Sequence, residues 1–314
     1  MTIIHPFAGG KGGIGKTFIT ANLGYLLAKK GYQVLLADLD LGGSNLHTLL
    51  DIQNPQTGLN DFLTKATDNL NDTIVNCPIP GLSLLSSKNC SMEIANLYYG
   101  QKQKIIREIK KLPYDFILLD LGAGTNFNTL DFFLISSDTV LIFTPEPTSI
   151  ETGVRFIKAA YYRKLKQVMK KHGLEGILKE TATDSGKTSA DIIKLLIRED
   201  PANETILKEH LQQIRFRFIV NQVRKHKKKY VGETLIKLCK RHFFSDFQFL
   251  GNVTYDERVY ESILSKQIFI SKFPYTRTSE ELTRLADTFA QDQPLPGVES
   301  SISTMNTKKE RCHV

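Results

Sequence analysis

The chain has 314 residues, 41% apolar and 24% charged, with a formal charge of +8, enough to bury one large core. No apolar run approaches the ~18 residues of a membrane span, and the N-terminus shows no signal-peptide pattern, so a cytoplasmic protein is expected. Cys77, Cys90, Cys239 and Cys312 include no C-x-x-C pair, which argues against a disulfide framework and against zinc or iron–sulfur binding. The charge is uneven: Arg155 to Asp246 carries 22 basic and 10 acidic residues, the rest of the chain 19 and 23. Such a segment forms either a solvated helix surface or a basic face for an anionic membrane, non-specific DNA or an acidic partner.

Thr2 to Ala8 is short, apolar and β-prone, and Ile19, Leu23, Leu26 and Leu27 recur at helical spacing through Thr17 to Lys30. Between them, Gly10-Lys11-Gly12-Gly13-Ile14-Gly15-Lys16-Thr17 fits G-x-x-x-x-G-K-[ST]. Glycines let such a loop turn tightly and aim its N–H groups at phosphate oxygens, and the helix that follows directs its positive end at the same anion. Lys16 is expected to hold the β and γ phosphates of ATP and Thr17 a Mg²⁺ ion.

Gln33 to Ala37 reads as a second strand, ending in Asp38-Leu39-Asp40-Leu41-Gly42-Gly43-Ser44-Asn45. Residues two apart on a strand share a face, so Asp38 and Asp40 both turn towards the phosphates, as carboxylates placed for Mg²⁺ or water. Short helices are expected at Leu46 to Leu50 and Gly58 to Lys65, a strand at Gly81 to Ser86, and a crossover helix at Gln101 to Leu112, stopped by Pro113. Phe116 to Leu119 is an unbroken apolar run, the pattern of a buried parallel strand, and delivers Asp120 to the same sheet end as a second magnesium carboxylate. Leu121-Gly122-Ala123-Gly124-Thr125 follows as a small-residue loop able to approach a γ-phosphate.

Further strands are expected at Thr139 to Thr144, Phe216 to Val220 and Phe249 to Val253, and helices at Ile150 to Lys171, Arg258 to Ser265 and Ser279 to Gln291, the last capped by Thr278 or Ser279. Gly173 to Gln213 reads as a helical insertion containing Ala190 to Arg198 and Glu204 to Gln213. Its Gly186-Lys187-Thr188 is no second phosphate loop, because Thr181 stands where the first glycine belongs. Asn221 closes a strand and is placed to pair with the adenine edge. Lys225 to Lys229 is a basic run, either a phosphate or lipid contact or a solvated surface. Residues 1–292 are expected to form one α/β domain around a doubly wound, mostly parallel sheet. Gln293 to Val314 is a tail expected to be disordered, too poor in apolar residues to hold a membrane by itself.

The order K-G-G-x-G-K-T, with Lys11 inside the loop, resembles the deviant Walker A motif of the MinD/ParA family of dimerising ATPases. D-x-D followed by G-x-x-N-L resembles that family's first switch segment, and Asp120 with Leu121 to Gly124 its Walker B element and second switch. The D-x-G-A-G sequence looks closest to flagellar-number regulators of the FlhG/FleN/YlxH kind. The resemblance implies nucleotide contact from Gly10 through Phe18, catalytic roles for Lys11, Lys16 and Asp40, and metal ligation by Thr17, Asp38 and Asp120. It also implies that Lys11 reaches the partner's phosphates in an ATP-bound homodimer, that Asp40 orients the attacking water, and that Glu146 of P-E-P-T-S contacts the partner's ribose. N-x-x-R gives Asn221 and Arg224 to the base. An activating protein partner and peripheral attachment to the inner membrane face belong to the same expectation. The family's acid after P-E-x-x-S is replaced by Thr152-Gly153, and its proline after the last strand by Thr254, which leaves that loop with less intrinsic restraint. A ParA-type partition ATPase is the alternative. A metal-cluster carrier lacks its paired cysteines and a tyrosine kinase its tyrosine-rich tail.

Overall fold

The computed structural model describes residues 2–52, 54–88, 90, 97–173, 193, 197, 198, 200–224, 230–243 and 245–292. Eight strands form one sheet: β1 Ile3–Ala8, β2 Val34–Leu39, β3 Ile74–Asn76, β4 Leu82–Leu85, β5 Phe116–Leu121, β6 Asp138–Phe143, β7 Arg215–Val223 and β8 Asp246–Thr254. Their order is β3-β4-β2-β5-β1-β6-β7-β8, and every pairing is parallel except the β3–β4 hairpin at one edge. The helices, numbered in chain order, are α1 Lys16–Lys29, α2 Leu46–Leu49, α3 Leu59–Leu63, α4 Tyr99–Ile109, α5 Phe127–Phe133, α6 Pro147–Lys171, α7 Ala202–Gln212, α8 Val231–His242, α9 Arg258–Leu264, α10 Phe269–Lys272 and α11 Arg277–Gln291.

Alternation along the strands divides the core into two layers. In β5, Ile117, Leu119 and Leu121 join one cluster with residues of α4, α5 and α6. Phe116 and Leu118 join the other, with residues of α1 and α11. All six residues of β2 and of β5 are buried, so neither strand shows a polar face in the sequence.

The differences from expectation have local causes. α5 carries no apolar stripe, because Leu130, Asp131, Phe132 and Phe133 are all buried around its circumference. Its start is marked by Asn126, whose side chain accepts the Thr129 N–H at 2.9 Å. The α11 cap is Thr276, not Thr278 or Ser279, because Thr276 Oγ1 accepts the Ser279 N–H at 3.1 Å. β3 is three residues long, shorter than a periodicity argument can detect. The helix expected at Glu204 to Gln213 is present as α7; most of Ala190 to Arg198, the Lys225 to Lys229 run and the tail lie outside the described residues.

Candidate functional site

Strand register assembles the site. Phe7 of β1 lies beside Asp120 of β5, and Asp120 beside Asp38 of β2, so the three strands end level. Asp38 and Asp120 have the parity of Leu36 and Leu118, which puts them on the face covered by α1. That helix begins with Lys16 and Thr17, immediately after the loop leaves β1.

The loop's shape depends on its glycines at two points. Gly15 is left-handed, with φ 87°, and caps α1, while a Cβ on it would stand 2.2 Å from the Asn221 side-chain nitrogen. A Cβ on Gly10 would stand 2.3 Å from the carbonyl of Thr152, so the loop is pressed onto the first turns of α6.

Asp38 is fully buried and its carboxylate accepts hydrogen bonds from Ser44 Oγ at 2.7 Å, Leu46 N at 3.1 Å and Asp40 N at 3.2 Å. Burial nevertheless raises its pKa, and the charge of Asp40 adds to the rise. Asp120 is also buried, and its Oδ1 has no hydrogen-bond partner. Burial and the neighbouring Asp38 raise its pKa, opposed by the Thr17 hydroxyl and the Lys16 ammonium. A buried carboxylate oxygen left unpaired beside a second buried carboxylate and a hydroxyl is poorly satisfied without a cation, and this donor set suits a hard divalent ion. Asp40 sits past the strand end, against the small-residue loop: a Cβ on Gly122 would stand 3.0 Å from its Oδ1. That loop is tied back to the phosphate loop, Gly124 N donating to the Gly9 carbonyl at 3.4 Å.

Lys11 Nζ lies 3.2 Å from Glu146 Oε2 and 3.4 Å from Thr148 Oγ1 of its own chain. Glu146 is the residue before α6, and Ser149 accepts the Thr144 N–H at 2.9 Å, which fixes the turn that presents it.

A cavity of about 180 Å³ beside the loop is lined by Gly13, Phe18, Asn221, Gln222 and Tyr255, among others. The Asn221 amide donates to the Ile14 carbonyl at 2.9 Å, so its nitrogen braces the loop. Arg224 stacks on Tyr255, 3.6 Å from the ring centroid. Gln222, with φ 58°, donates to the Gly13 carbonyl at 3.1 Å; the sequence marks it only as the residue after Asn221, and Tyr255 only as the residue after Thr254. Thr254 is held rather than loosened: Glu281 accepts its N–H at 2.6 Å and its hydroxyl at 2.9 Å. A carboxylate from α11 thus supplies the restraint that the missing proline does not.

A mostly parallel sheet with a glycine loop between its central strand and α1, and with aspartates at neighbouring strand ends, defines a P-loop nucleotide-binding fold. Residues 6–269 match the CobQ/CobB/MinD/ParA nucleotide binding domain, and the chain belongs to that family. It is 33% identical over 148 residues to a putative septum site-determining protein MinD of Chlorella vulgaris, covering 46% of this chain and 52% of that one. It is 35% identical over 153 residues to the flagellum site-determining protein YlxH of Helicobacter pylori, covering 48% and 50%. These matches span about half the length of the curated relatives. The fold matches the Pyrococcus horikoshii septum site-determining protein MinD, solved with Mg-ADP, at a TM-score of 0.63 and 22% identity, over 92% of this chain and 96% of that one. Among the described residues, no helix is long and apolar enough to cross a membrane.

Proposed function

We propose that this chain is a magnesium-dependent ATPase switch of the MinD/FlhG kind, which dimerises on ATP and regulates the position or number of a cellular assembly. The observation that carries the reading is the pairing of Asp38 and Asp120 at neighbouring strand ends, with Asp120 against Thr17 and Lys16 at the start of α1 and one of its buried carboxylate oxygens unpartnered. In it the loop N–H groups and Lys16 bind the triphosphate, and the base enters the cavity beside Asn221. Thr17, Asp38 and Asp120 would hold magnesium, which when bound neutralises charge developing on the phosphates. Asp40 accepts a hydrogen bond from the attacking water and aligns it. Lys11 exchanges its contact with Glu146 for the partner's phosphates, and both residues are released for contacts across the dimer. Hydrolysis removes the γ-phosphate that orders the Gly122 to Thr125 loop and dissolves the dimer.

The test is Asp40→Ala. It should retain ATP binding, lower turnover at least ~100-fold, and accumulate dimer on size exclusion with ATP and Mg²⁺. A variant that stays monomeric would count against the reading. Such a switch works in the cytoplasm, either free or peripherally on the inner membrane face, with a protein partner that stimulates hydrolysis.

The excess of 22 basic over 10 acidic residues in Arg155 to Asp246 favours a second reading, a ParA-type partition ATPase. It requires the ATP-bound dimer to retain duplex DNA without sequence preference, with affinity falling steeply as salt rises. A dimer that leaves DNA unretained at low salt eliminates it.

A further inference from the structure

On the sheet face opposite α1, a groove of about 730 Å³ runs between α4 and α6, with Asp131 of α5 and Leu134 and Ile135 just after it as its floor. None of the phosphate-loop residues or the three aspartates lines it. α4 and its C-cap residue contribute Tyr99, Gln103, Ile106 and Lys110, spaced four, three and four apart, which is one face of a helix. Ile106, Leu134 and the nearly buried Ile135 give the interior an apolar strip beside Gln103, Asp131 and Gln167, while Lys110, Lys166 and Lys170 stand on the two rims.

The charges do not cancel. The one acid in the lining, Asp131, is buried and already held by two cations: Arg163 binds it through two nitrogens at 2.7 and 2.8 Å, and Lys102 lies at 2.5 Å. Among the described residues, no carboxylate stands within ion-pair distance of Lys110, Lys166 or Lys170. Crowding is felt nearby, where burial first and then the charges of Lys110 and Lys171 lower the pKa of Lys164. Exposed aromatic surface adjoins the groove: Tyr98 and Tyr99 are 80% and 68% exposed, and Phe127, stacked against Arg163, is 68% exposed.

A trench with an apolar strip and cationic rims is the complement of a helix with one apolar face and acidic flanks. A bilayer cannot enter a concave slot, and a duplex backbone gains nothing from an isoleucine and leucine floor. The 11 residues of α4 give the wall a length of about 16 Å, three turns of an incoming helix.

We propose that the groove between α4 and α6 docks an acidic amphipathic helix of a partner protein, with its apolar face on Ile106, Leu134 and Ile135 and its carboxylates on Lys110, Lys166 and Lys170. α5 gives Asp131 to the floor, leads into Leu134 and Ile135, and starts directly after the Gly122 to Thr125 loop, so an occupant and the γ-phosphate would bear on opposite ends of the same seven-residue helix. That coupling rests on the proposed ATPase reading; the docking does not.

A displayed library of random helix-length peptides, panned on the full chain with and without ATP and Mg²⁺, tests both. Enriched peptides should carry Asp or Glu beside Leu, Ile or Phe at helical spacing. By fluorescence anisotropy, the double variant Lys166→Glu/Lys170→Glu should bind them at least ~10-fold more weakly, as should Lys110→Glu, while Lys29→Glu on the other face leaves affinity unchanged. These rim residues are exposed, so the variants are expected to melt like the parent, and circular dichroism checks it. Equal binding by the rim variants, or enrichment of peptides without acidic residues, overturns the proposal. So does retention of duplex DNA or phosphatidylglycerol vesicles that the rim variants lose while no peptide binds. Acidic peptides bound equally with and without ATP uphold the docking and refute only its coupling to nucleotide.

Discussion

At the carboxyl ends of β2 and β5, Asp38 and Asp120 lie buried side by side, and among the described residues neither makes an ion pair; at the opposite end of the sheet, buried charge is matched. There Arg217, buried in β7, binds Asp292 through two nitrogens at 2.6 and 3.1 Å. Its Nε lies 2.8 Å from Asp138 Oδ1, an ion-pair contact without the alignment of a hydrogen bond. His5 packs edge-on against Phe289 with no charge of its own, its pKa lowered to about 3 by burial and by Arg217. Both ends belong to one core, yet the chain balances its own charge at one and not at the other, even though both ring nitrogens of His5 are left without a hydrogen bond at the balanced end. Buried acids without a counter-ion cost stability, and a fold keeps them where a ligand supplies the missing charge.

The sharpest way to break this contrast is at Arg217. Arg217→Ala leaves two carboxylates facing a buried gap, and should cost about 3–5 kcal/mol by urea denaturation. A loss below about 1 kcal/mol would show that the matched end is not held by its charges.

Asp120→Asn tests the other end with the opposite sign. A raised carboxyl pKa means the folded state keeps a proton that the unfolded state releases, so Asp120 lowers stability as pH rises from the ordinary carboxylate range towards its raised value. Without magnesium or nucleotide, the variant should therefore be about 1–2 kcal/mol more stable than the parent at neutral pH. It should also lose the stabilisation that Mg²⁺ and ATP confer together on the parent, read as a shift in melting temperature.

The two ends also titrate in opposite directions. With a folded pKa near 3, His5 stays neutral while its unfolded counterpart takes a proton below about 6.5, so its contribution is full above that pH and is lost as pH falls towards 3. The slope is about 1.4 kcal/mol per pH unit, and His5→Phe should remove it from the denaturation profile between pH 6 and 4, roughly the window the two pKa values span. A variant with the parent's slope would assign acid sensitivity elsewhere.

The smallest effect is expected at the exposed Lys11–Glu146 pair. Glu146→Gln should change stability by less than about 1 kcal/mol, since a solvent-screened contact contributes little. A larger loss would make the pair part of the monomer's scaffold rather than a contact free to exchange.

Much of the site was legible because each element needed one local pattern. The glycine loop requires glycine at fixed places, β5 reads as an unbroken apolar run when both its faces are covered, and Asp120 follows as its polar end. Glu281 was not legible: its bonds to Thr254 join residues from α11 and β8, and nothing in either segment announces the other. The groove was hidden for the same reason, since Lys110 and Lys166 belong to helices 38 residues apart that only the sheet brings to one face. α5 escaped because Thr129 to Phe133 are buried one after another, which erases the periodicity by which a helix is recognised.

By itself, then, the sequence determined the loop, the order of strand and helix, and which acids stand at strand ends, because these depend on backbone permissiveness and on alternation along a few residues. The tertiary structure decided which of those acids lie together, which charges are matched, and where cationic surface is left unpaired. Register and packing across the sheet set those outcomes, and they bring together residues that no short stretch of chain contains.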